Sequence, residues 1–353
     1  MKVTAKMIAD ALGISTATVD RVLNNRNGVS AKTIKKVKLK AEELGYKPNR
    51  AAKFLSTQKT LNVAFILPLI PEYFWGEIQQ EIMKAAALFE DFGFKAEVYR
   101  VESMPKEIQI HFIEKAITDN RHDALVIAPH DSKPFVDVIN KGMELGIPVF
   151  SLNNDVPESR RIAFVGSDYF DAGYLAAELI CLFAKKLDHI IIVREDEDTY
   201  QMVNKEQGFR AYFEEKQMKM KIETVPVTSS YTNPSFNASS HRFVQADGIY
   251  IANGILGEAA EFLKEIKMAK DKVIIGHDIS EKINASLQSG IITATICQDP
   301  AAQASMMVKK VFDFLNSTEE SSKENTIVKL EVVTKANAKY YLNQNEFRKN
   351  SKK

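Results

Sequence analysis

Beyond residue 60, short β-type apolar runs alternate with helical stripes. That alternation restricts the chain to parallel sheets covered by helices on both faces. Strand patterns fall near residues 61–67, 95–99, 124–127 and 149–152, with helical patterns near 75–92, 107–120 and 133–145 between them. The alternation then resumes, with strands near 162–165, 189–193, 222–225, 248–251 and 273–276 and helices near 171–186, 204–215, 235–244 and 257–267. A helix over 300–316 and a strand near 327–334 complete it. So many strands predict two doubly wound parallel-sheet lobes rather than one.

In such sheets ligands bind beyond the carboxyl ends of the strands. Those positions hold Tyr73, Phe74 and Trp75 after the first strand, Asn153 and Asn154 after the fourth, and Lys205 at a helix start, followed by Asn253, Asp278 and Gln298. Aromatic faces combined with amides and a carboxylate suit a sugar, whose C–H faces stack on rings while its hydroxyls take paired donors and acceptors. Each residue also has a plainer role open to it: the asparagines as turn residues, Asp278 as a helix cap, the aromatics as core. The stripe Trp75, Ile78, Ile82, Ala85, Ala86 and Phe89 reads first as intramolecular core.

No catalytic arrangement emerges. The chain lacks GxGxxG, GxSxG and GxxxxGK[ST], and His111, His122 and His130 are scattered. Cys181 and Cys297 stand alone, so neither a disulfide framework nor a metal site is expected, and no cofactor is implied. Lys6 and Asp10 interrupt any secretory leader, and no 18-residue apolar run offers a membrane span. The expected setting is cytoplasmic.

Charge sets the first 60 residues apart: thirteen Lys and Arg against four Asp and Glu, in a chain whose formal total is +1. A basic end on an acidic body points to a polyanion partner. Thr4 can cap a helix through Ile8 and Leu12 that Gly13 stops, and Ser15 caps a second helix over 16–23. Two short helices joined by three residues form a helix-turn-helix pattern, with Val19, Val22 and Leu23 inward and Thr16, Ala17, Asp20 and Arg21 outward. A third helix starts at Ser30 and ends at Gly45. Residues 48–55 have room for about two helical turns, too short to be stable alone.

The runs Val3-Thr4-Ala5-Lys6-Met7-Ile8-Ala9, Gly13-Ile14-Ser15-Thr16-Ala17-Thr18-Val19-Asp20-Arg21-Val22-Leu23-Asn24, Val29-Ser30 and Gly45-Tyr46-Lys47-Pro48-Asn49-Arg50-Ala51-Ala52 resemble the headpiece of the LacI/GalR family of bacterial repressors. The resemblance implies that Thr16, Ala17 and Arg21 read base edges. It implies also that Thr4, Ser15, Thr18, Asn24 and Ser30 meet phosphates or cap the helices that do. Residues 49–55 become a hinge helix that orders on DNA, with Asn49, Arg50 and Ala52 among its DNA-facing residues and Leu55 as a minor-groove wedge. Where most members carry Ser, this chain has Asp20, a carboxylate that needs Arg21 or a cytosine amino group to offset it.

The body, through Val273-Ile274-Ile275-Gly276-His277-Asp278 and Thr295-Ile296-Cys297-Gln298-Asp299-Pro300, resembles ribose-type periplasmic binding proteins. That likeness implies that Asn253, Asp278 and Gln298 contact sugar hydroxyls, that Tyr73 and Phe74 stack on the ring, and that part of the helix after the first strand pairs two subunits. The family's Asp-Arg pair is Asn153-Asn154 here, and one of its arginines is Lys205. Loss of the guanidinium fork favours a different sugar, a polyol or a sugar phosphate over ribose.

The expected organisation is an all-α helix-turn-helix headpiece at 1–47, a hinge and linker at 48–60, an α/β effector core at 61–342 and a basic tail at 343–353. One lobe of the core takes about 61–165 with 299–326, the other about 166–298 with 327–342. The expected function is that of a dimeric repressor, higher oligomers being open, on a near-palindromic double-stranded operator with a small sugar-like effector. A solute-binding protein without regulatory role, or a ligand-dependent activator, is the alternative.

Overall fold

The computed structural model describes residues 3–23, 27–46, 60–103, 105–195, 199–227, 240–267, 271–316 and 323–342. It divides into two compact units, Met1–Thr60 and Leu61–Lys353. Asn24, Asn49, Arg50, Ala52 and Leu55, the tail at 343–353 and the first part of the helix expected over 235–244 lie outside the described residues.

The first unit holds α1 (Ala5–Leu12), α2 (Thr16–Leu23) and α3 (Ala31–Glu43). Each begins on a hydroxyl. Thr4 Oγ1 accepts the N–H of Met7 at 3.3 Å, Ser15 Oγ that of Thr18 at 3.1 Å, and Ser30 Oγ that of Thr33 at 3.2 Å. Gly13, at φ +63°, ends α1 in the left-handed conformation that turns the chain at once into α2. Ile8, Ala9, Val19, Val22, Val37 and Ala41 supply the buried core.

The second unit runs β1 (Leu61–Pro68), α4 (Glu72–Ala87), β2 (Phe94–Val101), α5 (Lys106–Thr118), β3 (Ala124–Ile127), α6 (Val136–Glu144), β4 (Val149–Leu152), β5 (Phe164–Gly166) and α7 (Tyr169–Phe183). It continues through β6 (His189–Glu195), α8 (Tyr200–Glu215), β7 (Lys221–Val227), α9 (Ser240–Val244), β8 (Gly248–Ile251), α10 (Leu256–Glu265) and β9 (Val273–His277). Last come α11 (Glu281–Gln288), β10 (Ala294–Cys297), α12 (Pro300–Asn316), β11 (Thr326–Ile327) and β12 (Glu331–Val333).

The strands form two sheets of six, in the orders β11-β5-β4-β3-β1-β2 and β12-β10-β9-β8-β6-β7. Every pairing is parallel except β10 with β12. Strand periodicity sends alternate side chains to opposite cores: Val63, Phe65 and Leu67 to one, Ala64 and Ile66 to the other. In the second sheet Ile191 and Val193 separate in the same way from Ile190 and Ile192. Burial on both faces is what a parallel sheet requires. The stripe from Trp75 to Phe89 enters the core against α12, and Phe89 stacks on Phe312 at 4.2 Å.

The chain passes between the sheets after β5, after β10 and between β11 and β12. The third passage explains a departure from expectation: the strand pattern over 327–334 divides into β11 in one sheet and β12 in the other, because the chain changes sheets within it. The stripe expected at 75–92 begins earlier, at Glu72, and gives way after Ala87 to a 3-10 turn at Glu90–Phe92. Among the described residues no helix is long and apolar enough to cross a membrane.

Candidate functional site

On the first unit, α2 buries Val19 and Val22 and leaves Thr16, Ala17, Asp20 and Arg21 exposed together. Thr4, Ser15 and Ser30 are exposed helix caps, so each stands at a helix N-terminus, where backbone N–H groups favour phosphate. Thr18 bonds Ser15 side chain to side chain at 2.8 Å. Lys32, Lys35, Lys36 and Lys38 are exposed along α3. These positions form a surface with the chemistry for a DNA backbone and base edges.

In the second unit Asn153, Asp278 and Gln298, three of the residues named after the strands, meet where the chain changes sheets. Gln298 is the junction. Its Oε1 accepts from Asn153 Nδ2 at 3.2 Å and from Ser167 Oγ at 3.2 Å, while its Nε2 donates to Asp278 Oδ1 at 3.0 Å. Asn153 Nδ2 also donates to Gln303 Oε1 at 3.1 Å, and Gln303 returns a bond to the Gln298 carbonyl at 2.7 Å. Asn153 and Asp278 have φ of +62° and +66°, so each is a turn residue as well as a polar wall. Asp278 is not the cap of α11; Ser280 accepts the N–H of Ile283 and fills that role.

Lys205 is 2% exposed, donates to the Ala252 carbonyl at 2.8 Å and lies 5.9 Å from the ring centre of Tyr169. Burial pushes its pKa from 10.5 down to about 8, against the pull of Asp278 and Glu195. Burial likewise raises the Asp278 carboxyl, opposed by the Lys205 ammonium and the Gln298 bond. Asn253 is 3% exposed, and neither its Nδ2 nor its Oδ1 has a partner among the described residues. A buried amide left so is costly unless another molecule completes it.

Besides the Asn153–Gln298 bond, two tyrosine hydroxyls bond across between the layers of the two sheets. Tyr73 Oη donates to the Gly254 carbonyl at 3.2 Å, and Tyr169 Oη donates to Asn154 Oδ1 at 3.2 Å. Asn154 Nδ2 is meanwhile held by the Pro129 carbonyl at 2.9 Å. Phe74 packs edge-on against Trp75 at 5.1 Å and belongs mostly to the core. A cavity of about 820 Å³ is lined by Tyr73, Phe74, Asp278 and Gln298, together with acidic residues of α4.

Sequence reasoning missed Gln303, Ser167 and Tyr169. Gln303 left a signal, a glutamine on the buried face of α12 beside Ala304 and Met307. Beneath the site Tyr250 Oη and His277 Nε2 stand 2.7 Å apart, a buried pair that packs the floor. Asp155 and Arg161 form a buried ion pair, 2.6 Å between Oδ2 and Nη2, that braces the segment between β4 and β5.

Residues 63–319 match the family model of the periplasmic binding protein domain, and residues 4–49 that of bacterial regulatory proteins of the lacI family. The HTH-type transcriptional regulator DegA of Bacillus subtilis is 27% identical over 79% of this chain and 82% of its own length. A LacI transcriptional regulator from Bacteroides fragilis superposes with a TM-score of 0.71 at 23% identity, over 80% of this chain and all of that one. A solute-binding protein from Burkholderia graminis, solved with D-arabinose, gives 0.70 at 18% identity, over 79% of this chain and 96% of that one. Helix-turn-helix head, two-sheet body and both family matches agree, and the chain belongs to the LacI/GalR family of transcriptional regulators, with a periplasmic-binding-protein-like sensor as its body.

Proposed function

We propose that the chain is a dimeric repressor whose operator affinity is set by a small polyhydroxylated effector bound between its two lobes. The observation that carries the ligand is Asn253, which follows β8 as Asp278 follows β9 and Gln298 follows β10: a buried amide with neither polar atom partnered among the described residues. Such a group pairs well with adjacent hydroxyls, which donate and accept at once. The Burkholderia graminis relative of the same fold, solved with D-arabinose, supports a sugar-like ligand.

The headpiece, 1–47, would place α2 in the major groove with Thr16, Ala17 and Arg21 at base edges, while Thr4, Ser15, Thr18 and Ser30 meet phosphates. The linker at 48–60 joins it to the core at 61–342. Dimer symmetry requires a near-palindromic operator. A gel shift with DNA from upstream of the chain's own operon tests the reading. Retardation is expected at low salt and is expected to fall by orders of magnitude between about 50 and 200 mM, as phosphate contacts release counterions. Absence of retardation at low salt would overturn the assignment.

A further inference from the structure

The face that would meet DNA carries one charge of the wrong sign. Residues 11–41 hold seven Lys and Arg and a single acid, Asp20, and that acid stands on the exposed side of α2. The other acids of the first unit close helices instead: Asp10 lies late in α1, and Glu42 and Glu43 end α3, where Glu43 pairs with Lys40 at 2.7 Å.

Local geometry sets the company that Asp20 keeps. Val19 and Val22 are buried in the core of the first unit, which turns Thr16, Ala17, Asp20 and Arg21 outward. Asp20 follows Thr16 by four residues and Ala17 by three, the spacings that make neighbours on a helix surface. Both neighbours are short side chains. A carboxylate on a single methylene therefore reaches whatever surface α2 is laid against.

Every phosphate repels a carboxylate placed there, and so do most base edges. In the major groove guanine shows two acceptors, thymine an acceptor and a methyl group, and adenine an acceptor beside its donor. Cytosine shows a donor alone, its N4 amino group. Set against any other base, the carboxylate loses water and gains no matched donor. Burial, and after it the charge of Asp20, raise the pKa of the Tyr46 hydroxyl, so a brace between α2 and the turn after α3 is the rival role.

Resting on the reading of α2 as the helix laid in the major groove, we infer that Asp20 is a specificity determinant. It accepts a hydrogen bond from the N4 amino group of one cytosine in each operator half-site and penalises the other three bases at that position.

The full-length protein and its Asp20→Asn and Asp20→Ala variants test this by selecting duplexes at low salt from a pool with randomised central base pairs. The selected duplex and its single-base variants are then titrated by fluorescence anisotropy. The unsubstituted protein is expected to retain a cytosine at one position of each half-site, every replacement there binding about tenfold more weakly. Asp20→Asn is expected to give up that cytosine, its amide matching the N6 and N7 of adenine instead. Asp20→Ala is expected to accept all four bases there, with the other positions unchanged in both variants. Selected duplexes that share no cytosine, or a cytosine requirement that survives both substitutions, would overturn the role of Asp20 and leave DNA binding standing. So would an affinity loss spread evenly over all duplexes with a lower melting temperature, the signature of a brace on Tyr46. A pool from which nothing is retained would overturn the reading of α2 itself.

Discussion

Lys205 is a charged group with 2% of its surface exposed, held between the Ala252 carbonyl and the Tyr169 ring. The unfolded chain holds its proton up to about pH 10.5 and the folded chain releases it near 8. Between those values the unfolded state binds more protons, so this group's contribution to stability rises with pH. Below pH 8 its penalty is complete, about 3 kcal/mol. The bond to the Ala252 carbonyl offsets about 1 kcal/mol of that. Lys205→Met is therefore expected to raise the unfolding free energy by about 2 kcal/mol at pH 7 and to have little effect near pH 10.5. Chemical denaturation of both proteins at both pH values checks this; a variant less stable at pH 7 would show the ammonium to be stabilising. The chain placed Lys205 at a helix start, but α8 begins five residues earlier, at Tyr200, so it stands in the second turn; its partners were not legible either. Ala252 supplies a backbone carbonyl, which leaves no mark on composition, and Tyr169 follows β5 by only three residues, with nothing local to separate it from core.

The close passage of α7 over α8 fixes where Lys205 stands. A Cβ on Gly173 would lie 1.9 Å from the Lys205 carbonyl oxygen, and one on Gly208 would lie 1.9 Å from that of Phe170. Backbone meets backbone at both points, so neither clash can be relieved by a rotamer. Gly173→Ala is expected to force the helices apart, lower stability by about 3 kcal/mol and weaken ligand binding through displacement of Lys205. The melting temperature and a ligand titration read the two effects; a variant that melts and binds as before would mean that the helices are free to slide. At this scale the alternation of strand and helix was plain, because a short continuous apolar run buried on both faces, as in Val63 to Leu67, and a 3.6-period stripe, as in Trp75 to Phe89, leave different traces. The eight-residue α11 and the four-residue β10 escaped it, although β3, β4 and β8 are as short as β10 and were expected. The division of residues 327–334 between two sheets was invisible because local pattern reports extended backbone and says nothing of which sheet receives it.

At the level of the whole sensor, two tyrosines from opposite layers join the lobes, Tyr73 to Gly254 and Tyr169 to Asn154. Replacing both by phenylalanine keeps the rings and removes the donors. At about 1 kcal/mol each, the closed arrangement loses about 2 kcal/mol. Tyr73→Phe with Tyr169→Phe is expected to increase the radius of gyration in small-angle scattering, and an unchanged radius would show that closure rests on other contacts. Family and fold class were foreseeable from the chain, as was the place of Asn153, Asp278 and Gln298 after their strands, while Ser167 and Gln303 beside Gln298 were not. The bonds across the cleft were not, because they join residues 181 and 15 positions apart with no shared motif. Donor and acceptor of each bond are both protein, so neither needs a ligand in order to form. On the proposed reading, an effector that enters only when the lobes part would meet an open fraction cut about thirtyfold by these two bonds, and its apparent affinity would be weaker by the same factor.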